Sequence, residues 1–336
     1  MKAIICETPN SLAVIQRELP VRKPGEVRVR IRRVGLCGTD FHIYTGKQPY
    51  LSYPRVMGHE LSGEIAEVDP SSAYAPGQVV TINPYLACGH CIACRKEKPN
   101  CCVNIQVMGV HIDGGMAEFV CVPESAIVDA EGLSLEQAAM VEFLSIGAHA
   151  VRRARVEPKE RILVVGAGPI GIAAALFARL AGADVSLIDT VGQRLDYAAD
   201  KLDFKHVGVV DDALLQWLSV RTEGEGFDCV FDATGSARAI EDGFRHVCHG
   251  GRYVLISVVR DTISFSDPEF HKREMELMGS RNATREDFRF VIDCIRSGLI
   301  PTERLNTHTF ELEDMPTIVP YYIKNLGTVL KAIGRL

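Results

Sequence analysis

Between Val34 and Glu60 the chain carries Cys37, Thr39, Asp40, His42, His59 and Glu60 in a span rich in Gly and Pro, VGLCGTDFHIYTGKQPYLSYPRVMGHE. A thiolate, an imidazole and a carboxylate are the borderline-soft donors that Zn²⁺ prefers. A catalytic zinc site needs only three protein ligands and leaves one position open. The hydroxyl of Thr39 and the ring of His42, three residues on, could pass a proton from a buried metal to solvent. The plainer alternative is a glycine-rich loop with one core cysteine and two surface histidines, and the rest of the chain weighs against it.

Residues 88 to 102, CGHCIACRKEKPNCC, form a second candidate metal site. Cys88, Cys91 and Cys94 are separated by two residues each, and Cys101 and Cys102 close the stretch. Four thiolates complete a tetrahedral shell with no open position, which makes a structural site. The residues between them are polar (Arg95, Lys96, Glu97, Lys98, Pro99, Asn100), which argues against a cluster of core cysteines. Spacing alone does not choose between Cys101 and Cys102 as the fourth ligand. Further on, SLEQAAMVEFLSIGAHAV (Ser134 to Val151) reads as helical, and Glu142 lies there among apolar neighbours. A carboxylate in such a setting needs a partner or a metal.

From Arg161 the pattern becomes strand, glycine turn, helix, strand: ILVVGAGPIGIAAALFARLAGADVSLID. Gly166, Gly168 and Gly171 form a G-x-G-x-x-G fingerprint, with Pro169 and Ile170 in the same turn, and Asp189 follows Gly171 by 18 residues. Such a turn lets backbone amides approach a pyrophosphate at a helix N-terminus. Asp189 would accept from both ribose hydroxyls and repel a 2′-phosphate, which favours NAD over NADP. Arg194 is a nearby cation that could receive a phosphate. Apolar runs at His206–Val210, Asp228–Asp232 and Arg252–Val258, ended by turns such as Thr234-Gly235, suit a doubly wound parallel sheet with the ligand at the carboxyl ends of the strands.

These sites need elements to hold them. With 336 residues, two domains are expected, each able to bury its own core. Ala3–Cys6, Leu12–Gln16, Val27–Val34, Leu61–Val68, Gln78–Ile82 and Ala117–Val122 read as strands with Gly/Pro turns, a barrel-like β-rich half. Glu276–Ser280 reads as the last strand of the parallel sheet, Glu286–Ser297 as a helix, and Tyr321–Leu336 as a strand-rich piece of the first half. The expected division is 1–150 with 285–336, and 151–284. His111 on a Gly-rich turn, and Arg281 beside Asn282 past the last sheet strand, are candidate substrate contacts.

Composition narrows the function classes. A net charge of -6 without a basic stripe sets aside nucleic acid and anionic membrane as partners. The longest uncharged run, Ile162–Ala178, is split by glycines and a proline, so it is not a membrane span. The first residues lack the apolar run and cleavage site of a signal peptide, so a cytoplasmic location is expected. The 11 cysteines then point to metal ligands before disulfides.

Together these residues resemble the zinc-dependent medium-chain dehydrogenase/reductase superfamily. G-L-C-G-T-D at Gly35–Asp40, G-H-E at Gly58–Glu60, the four-cysteine lobe and G-A-G-P-I-G at Gly166–Gly171 carry the likeness across the whole chain. VEFLSIGAHAVRRA resembles a segment of the polyol and threonine dehydrogenase branch, although Phe143 stands where that branch has Pro. SYPRVMGHE, NPYLACGHC, GVHIDGGMAEF and FSDPEFHKREMELMGSRNAT are similar to bacterial sugar-acid dehydrogenases of the L-galactonate and L-gulonate 5-dehydrogenase kind. The resemblance implies a Rossmann NAD-binding domain and a GroES-like catalytic domain. It also implies two zincs per chain, and a homodimer or homotetramer paired through the last strand of each nucleotide domain. Cys37 and His59 would bind the catalytic zinc with Glu142 or Glu60 third; Cys88, Cys91, Cys94 and Cys102 would bind the structural one; Thr39 and His42 would relay the proton. Gly38, where some alcohol dehydrogenases have an arginine, leaves out one cofactor-phosphate contact. The implied reaction is NAD-dependent oxidation of a secondary hydroxyl of a sugar acid. The alternatives are a polyol or L-threonine as substrate, or a non-catalytic NAD/zinc sensor, in which the ligand positions would have drifted.

Overall fold

The computed structural model describes all residues, Met1–Leu336. They form two compact units, one of Met1–Phe143 with Ala283–Leu336 and one of Leu144–Asn282. The helix Val141–Ala154 runs from one into the other.

In the second unit six strands lie in the order His206–Val209, Asp184–Asp189, Arg161–Val165, Phe227–Asp232, Val247–Leu255, Glu276–Gly279. Every neighbouring pair is parallel. The first strand in sequence therefore lies between the second and the fourth, the reversal that defines a doubly wound sheet. Strands covered on both faces need apolar residues on both, and Ile162, Leu163 and Val164 are all fully buried. The helix Pro169–Leu180 packs an unbroken buried run, Gly171 to Ala178, and its small residues allow close approach to the sheet.

The first unit is built around the strand Glu26–Gly35. It pairs antiparallel with Glu60–Glu67, with Phe119–Pro123 and with the C-terminal strand Lys331–Arg335. Val27, Val29 and Ile31 point inward while Arg28 and Arg30 point out, the two-residue alternation of a half-buried strand. After two register shifts against Glu60–Glu67, Gly35 ends opposite both Glu60 and Ile333, two residues before Cys37.

Two sequence expectations change. The helix expected over Ser134–Val151 is two, Leu135–Ala139 and Val141–Ala154, with a break at Met140 that places Glu142 in a first turn. Tyr321–Leu336 is not strand-rich throughout. Met315–Lys324 is a helix, and only Lys331–Arg335 is strand. Met315, Val319 and Tyr322 are buried at helical spacing, so one-sided burial overrides the β-propensity of Tyr321, Tyr322 and Ile323.

The helix Arg285–Arg296 opens with a reciprocal cap. Thr284 Oγ1 accepts from the backbone N–H of Asp287, whose carboxylate accepts from the backbone N–H of Thr284 at 2.7 Å. Thr284→Ala should cost about 1–2 kcal/mol. Urea unfolding would show this as a lower midpoint for the first unit's transition with an unchanged slope.

Candidate metal and cofactor sites

Cys37 caps the helix Gly38–Tyr44. Its backbone N–H donates to Asp40 Oδ2 at 2.9 Å, and its sulfur accepts from the N–H of Thr39 at 3.5 Å. His59 and Glu60 stand at the start of the strand beside it, both buried. The ligand atoms of Cys37, His59 and Glu60 lie within 4.8 Å of one another. Bonds of about 2.0–2.3 Å to one ion could bridge that span after small side-chain movements.

The imidazole stands beside Asp40. His59 Nδ1 and Asp40 Oδ1 lie 4.0 Å apart, and neither has a hydrogen bond although both are buried. The other ring nitrogen lies on the Cys37 side. Burial pulls the imidazole's pKa down, but Cys37, Asp40 and Glu142 outweigh it and hold it well above the usual histidine range. Anionic groups thus surround the ring, a setting that suits a bound cation.

Lys331 is the cation this site already contains. Its ammonium donates to both Glu60 oxygens at 2.7 Å and to the carbonyl of Leu36 at 3.1 Å, and it lies 4.2 Å from the centre of the Phe143 ring. Burial pushes the Glu60 carboxyl up to about 7 while Lys331 pulls it back and Glu142 adds to the rise. Room for this pair depends on Gly35: a Cβ there would sit 2.1 Å from Glu60 Oε2. Glu142 has a different partner, since Tyr85 donates its phenol proton to Glu142 Oε1. Burial, then the charge of Glu142, pushes that phenol well above its usual range, so it remains a donor. Glu142 falls outside the group formed by Cys37, His59 and Glu60. Thr39 is half-buried and His42, one turn along the same helix, is exposed.

The sulfurs of Cys88, Cys91, Cys94 and Cys102 also lie within 4.8 Å of one another, with Cys91 3.5 Å from Cys94 and 3.9 Å from Cys102. Cys102 is buried in the group, while Cys101 is exposed and outside it. Backbone N–H groups of Cys94 and Val103 lower the Cys91 thiol to about 6. Four converging sulfurs, one already favoured as thiolate, fit a closed metal shell.

In the second unit Gly166 follows the strand Arg161–Val165, and Gly168 caps the helix that Pro169 and Ile170 open, with no side-chain cap on its first N–H groups. A Cβ on Gly171 would lie 1.7 Å from the Gly166 carbonyl oxygen, so only glycine lets this helix close on the turn. Asp189 ends the next strand. Its Oδ2 accepts from the N–H of Ala167 at 2.7 Å and lies 3.5 Å from Arg194, and its Oδ1 accepts from Val191 at 2.8 Å. The acid, itself buried, therefore braces the glycine turn. Thr234 donates to Asp232 at 2.9 Å and accepts from Ser236 at 3.1 Å, so its hydroxyl shapes its own turn.

The candidate substrate residues are more scattered. His111 Nδ1 accepts from the N–H of Val107 at 3.1 Å, and its ring stacks on Tyr50. Arg281 is exposed, and Asn282 adopts a left-handed backbone with φ 54°. Sequence reasoning missed Lys331 and Tyr85. An isolated lysine on a terminal strand carries no local signal, and Tyr85 was visible only as part of NPYLACGHC.

Lys331→Met should destabilise the first unit by about 3–5 kcal/mol, because it leaves Glu60 as an uncompensated buried charge. The double variant Lys331→Met/Glu60→Gln should recover much of that loss in chemical denaturation.

Comparison with known proteins agrees with this geometry. Residues 23–132 match the family described as alcohol dehydrogenase GroES-like domain, and 169–297 match zinc-binding dehydrogenase. The chain is 42% identical over 334 residues to the L-galactonate-5-dehydrogenase of Escherichia coli K12, covering 99% of this chain and 98% of that protein. It is 31% identical to the 2-dehydro-3-deoxy-L-galactonate 5-dehydrogenase of Pseudoalteromonas atlantica, covering 91% and 90%. Among solved structures, the alcohol dehydrogenase RspB of Escherichia coli CFT073, complexed with NADH, superposes with a TM-score of 0.93 at 29% identity, covering 100% of this chain and 99% of that one. With a doubly wound nucleotide unit, a GroES-like unit and both ligand clusters in place, the chain belongs to the zinc-dependent medium-chain dehydrogenase/reductase superfamily.

Proposed function

We propose that this protein uses NAD⁺ to oxidise a secondary hydroxyl of a sugar acid, of the L-galactonate or L-gulonate type, to the 5-keto acid. The observation that carries the reading is 42% identity to an L-galactonate-5-dehydrogenase along nearly the whole of both chains. No helix is long and apolar enough to cross a membrane, and a cytoplasmic enzyme acting on a small molecule is the reading we adopt.

Cys37 and His59 would hold the catalytic zinc with one of the two carboxylates. Lys331 occupies both oxygens of Glu60, whereas Tyr85 takes only Oε1 of Glu142, and this favours Glu142 as third ligand. Cys88, Cys91, Cys94 and Cys102 would hold the structural zinc. What the catalytic metal supplies when bound is Lewis-acid polarisation of the substrate hydroxyl. Thr39 would take up the proton released by that hydroxyl and pass it to His42 at the surface. The Gly166–Gly171 turn would carry the NAD pyrophosphate and Asp189 the ribose, with Arg194 held back by its contact with Asp189. Arg281, beside Asn282, would pair with the substrate carboxylate. A second copy would pair along the edge strand Glu276–Gly279, giving a dimer or tetramer.

NADH production measured side by side should favour C6 aldonates over sorbitol and L-threonine by at least about tenfold in kcat/KM, since one charged hydrogen bond contributes about 1.5–3 kcal/mol. A preference for sorbitol or threonine would replace the sugar-acid reading. Arg281→Ala should raise KM for the preferred aldonate about tenfold or more and leave a neutral polyol almost unaffected; equal effects would remove the carboxylate role. Zinc analysis of Cys37→Ser should give one metal per chain where the parent protein gives two.

A further inference from the structure

We infer that Tyr85 is a positioning residue for the catalytic metal, acting through Glu142, and that the four-cysteine lobe holds Tyr85 in place. The inference rests on the reading of Glu142 as a metal ligand. Its structural basis is separate: a phenol hydrogen bond, and the short ribbon that carries the phenol.

Tyr85 lies in a ribbon of two residue pairs, Tyr85 opposite Val107 and Leu86 opposite Gln106. So short a ladder does not hold its own register. A slip of one residue would turn the Tyr85 side chain to the opposite face and away from Glu142. At the tip, the chain runs directly into the lobe, where the N–H of Cys88 donates to Cys102 Sγ at 3.2 Å and ties the two arms together. At the base, Asn83 Oδ1 accepts from the N–H of Tyr85 at 3.0 Å, Asn83 donates to Ala126 at 2.8 Å, and Met108 donates to the carbonyl of Pro84 at 3.1 Å. Clamped at both ends, the ribbon presents one hydroxyl to Glu142 Oε1.

A neutral donor suits this position. Lys331 neutralises Glu60 by ion pairing, but a second cation on Glu142 would compete with a metal for the carboxylate. A phenol fixes one oxygen and leaves the charge in place. The lobe thereby gains a role beyond local folding: its four sulfurs set the register of the ribbon that orients a residue of the other metal site.

The test is zinc release from the purified enzyme to a chromogenic chelator, for the parent protein, Tyr85→Phe, Glu142→Gln and the double variant. Phenylalanine keeps the ring and removes only the donor, and thermal unfolding checks that the fold is unchanged. Tyr85→Phe is expected to hold the weaker-bound of the two zincs about 10-fold or more less tightly, with the tighter one retained. The double variant should be no weaker than Glu142→Gln, because Tyr85 acts only through that side chain. If Glu142→Gln holds zinc as the parent does, Glu142 is not a ligand and the inference falls with that reading. If Glu142→Gln weakens binding while Tyr85→Phe does not, or if the two losses multiply in the double variant, the role of Tyr85 falls and the ligand reading stands. If Tyr85→Phe unfolds early, Asn83→Ala takes its place, since it loosens the base of the ribbon without touching the ring. Weakened zinc binding there supports the inference, and parent-like binding in a folded Asn83→Ala overturns it.

Discussion

An ammonium buried against a carboxylate is the contact on which the first unit turns. Lys331 and Glu60 are 1% and 0% exposed, and an isolated charge at that depth would be strongly unfavourable. All three N–H groups of the lysine are used, two by Glu60 and one by the Leu36 carbonyl. The ring of Phe143 lies over the same ammonium, adding a cation–π contact. The pair also fixes topology. Lys331 belongs to the terminal strand that pairs with Glu26–Gly35, and Glu60 to the strand on that hub's other side. The C-terminal segment is therefore tied to the site by charge as well as by backbone hydrogen bonds.

Neutralising Glu60 changes what the remaining groups do. Without Lys331, Glu60 and Glu142 would repel each other beside the Cys37 sulfur, and protonating one of them would be the cheapest relief. With it, Glu142 is left to Tyr85, Asp40 stands 4.0 Å from the imidazole and the Cys37 sulfur lies within ligand distance of the same ring. Acidic groups and a thiol gathered around one imidazole make an environment that suits a divalent cation. The fold thus sets the charge balance of the site through a residue 271 positions away from Glu60.

Features carried by contiguous residues were legible in the sequence, and features set by long-range register were not. The Gly166–Gly171 turn, the strands either side and the four-cysteine stretch are local patterns, and the doubly wound sheet follows from them. Cys37, His59 and Glu60 stand out by chemical type. Lys331 could not be found this way, because its meaning comes from a strand pairing that brings the chain's end against Glu60. The same holds for Gly35, whose missing Cβ matters only because Glu60 lies opposite, and for Tyr85, 57 residues from its partner Glu142. The stretch Tyr321–Lys324, expected within a strand-rich piece, closes a helix for a related reason: β-branched and aromatic residues suggest strand locally, and burial of Met315, Val319 and Tyr322 on one face decides otherwise. Asp189 was assigned correctly as the acid after the second strand, but its bond to Ala167 shows that it also holds the glycine turn closed.

The two metal clusters differ less in their donors than in what restrains those donors. In the lobe, four sulfurs converge, with backbone N–H groups donating to Cys102 and Cys91. Such a shell closes on itself. Beside Cys37 and His59 stand two carboxylates, Glu60 within the ligand cluster and Glu142 outside it. One is bonded through both oxygens to Lys331 and the other through one oxygen to Tyr85. Contacts of this kind orient a carboxylate rather than remove it as a donor. Two residues distant in sequence, a lysine and a tyrosine, thus set how each of the two acids is held beside Cys37 and His59.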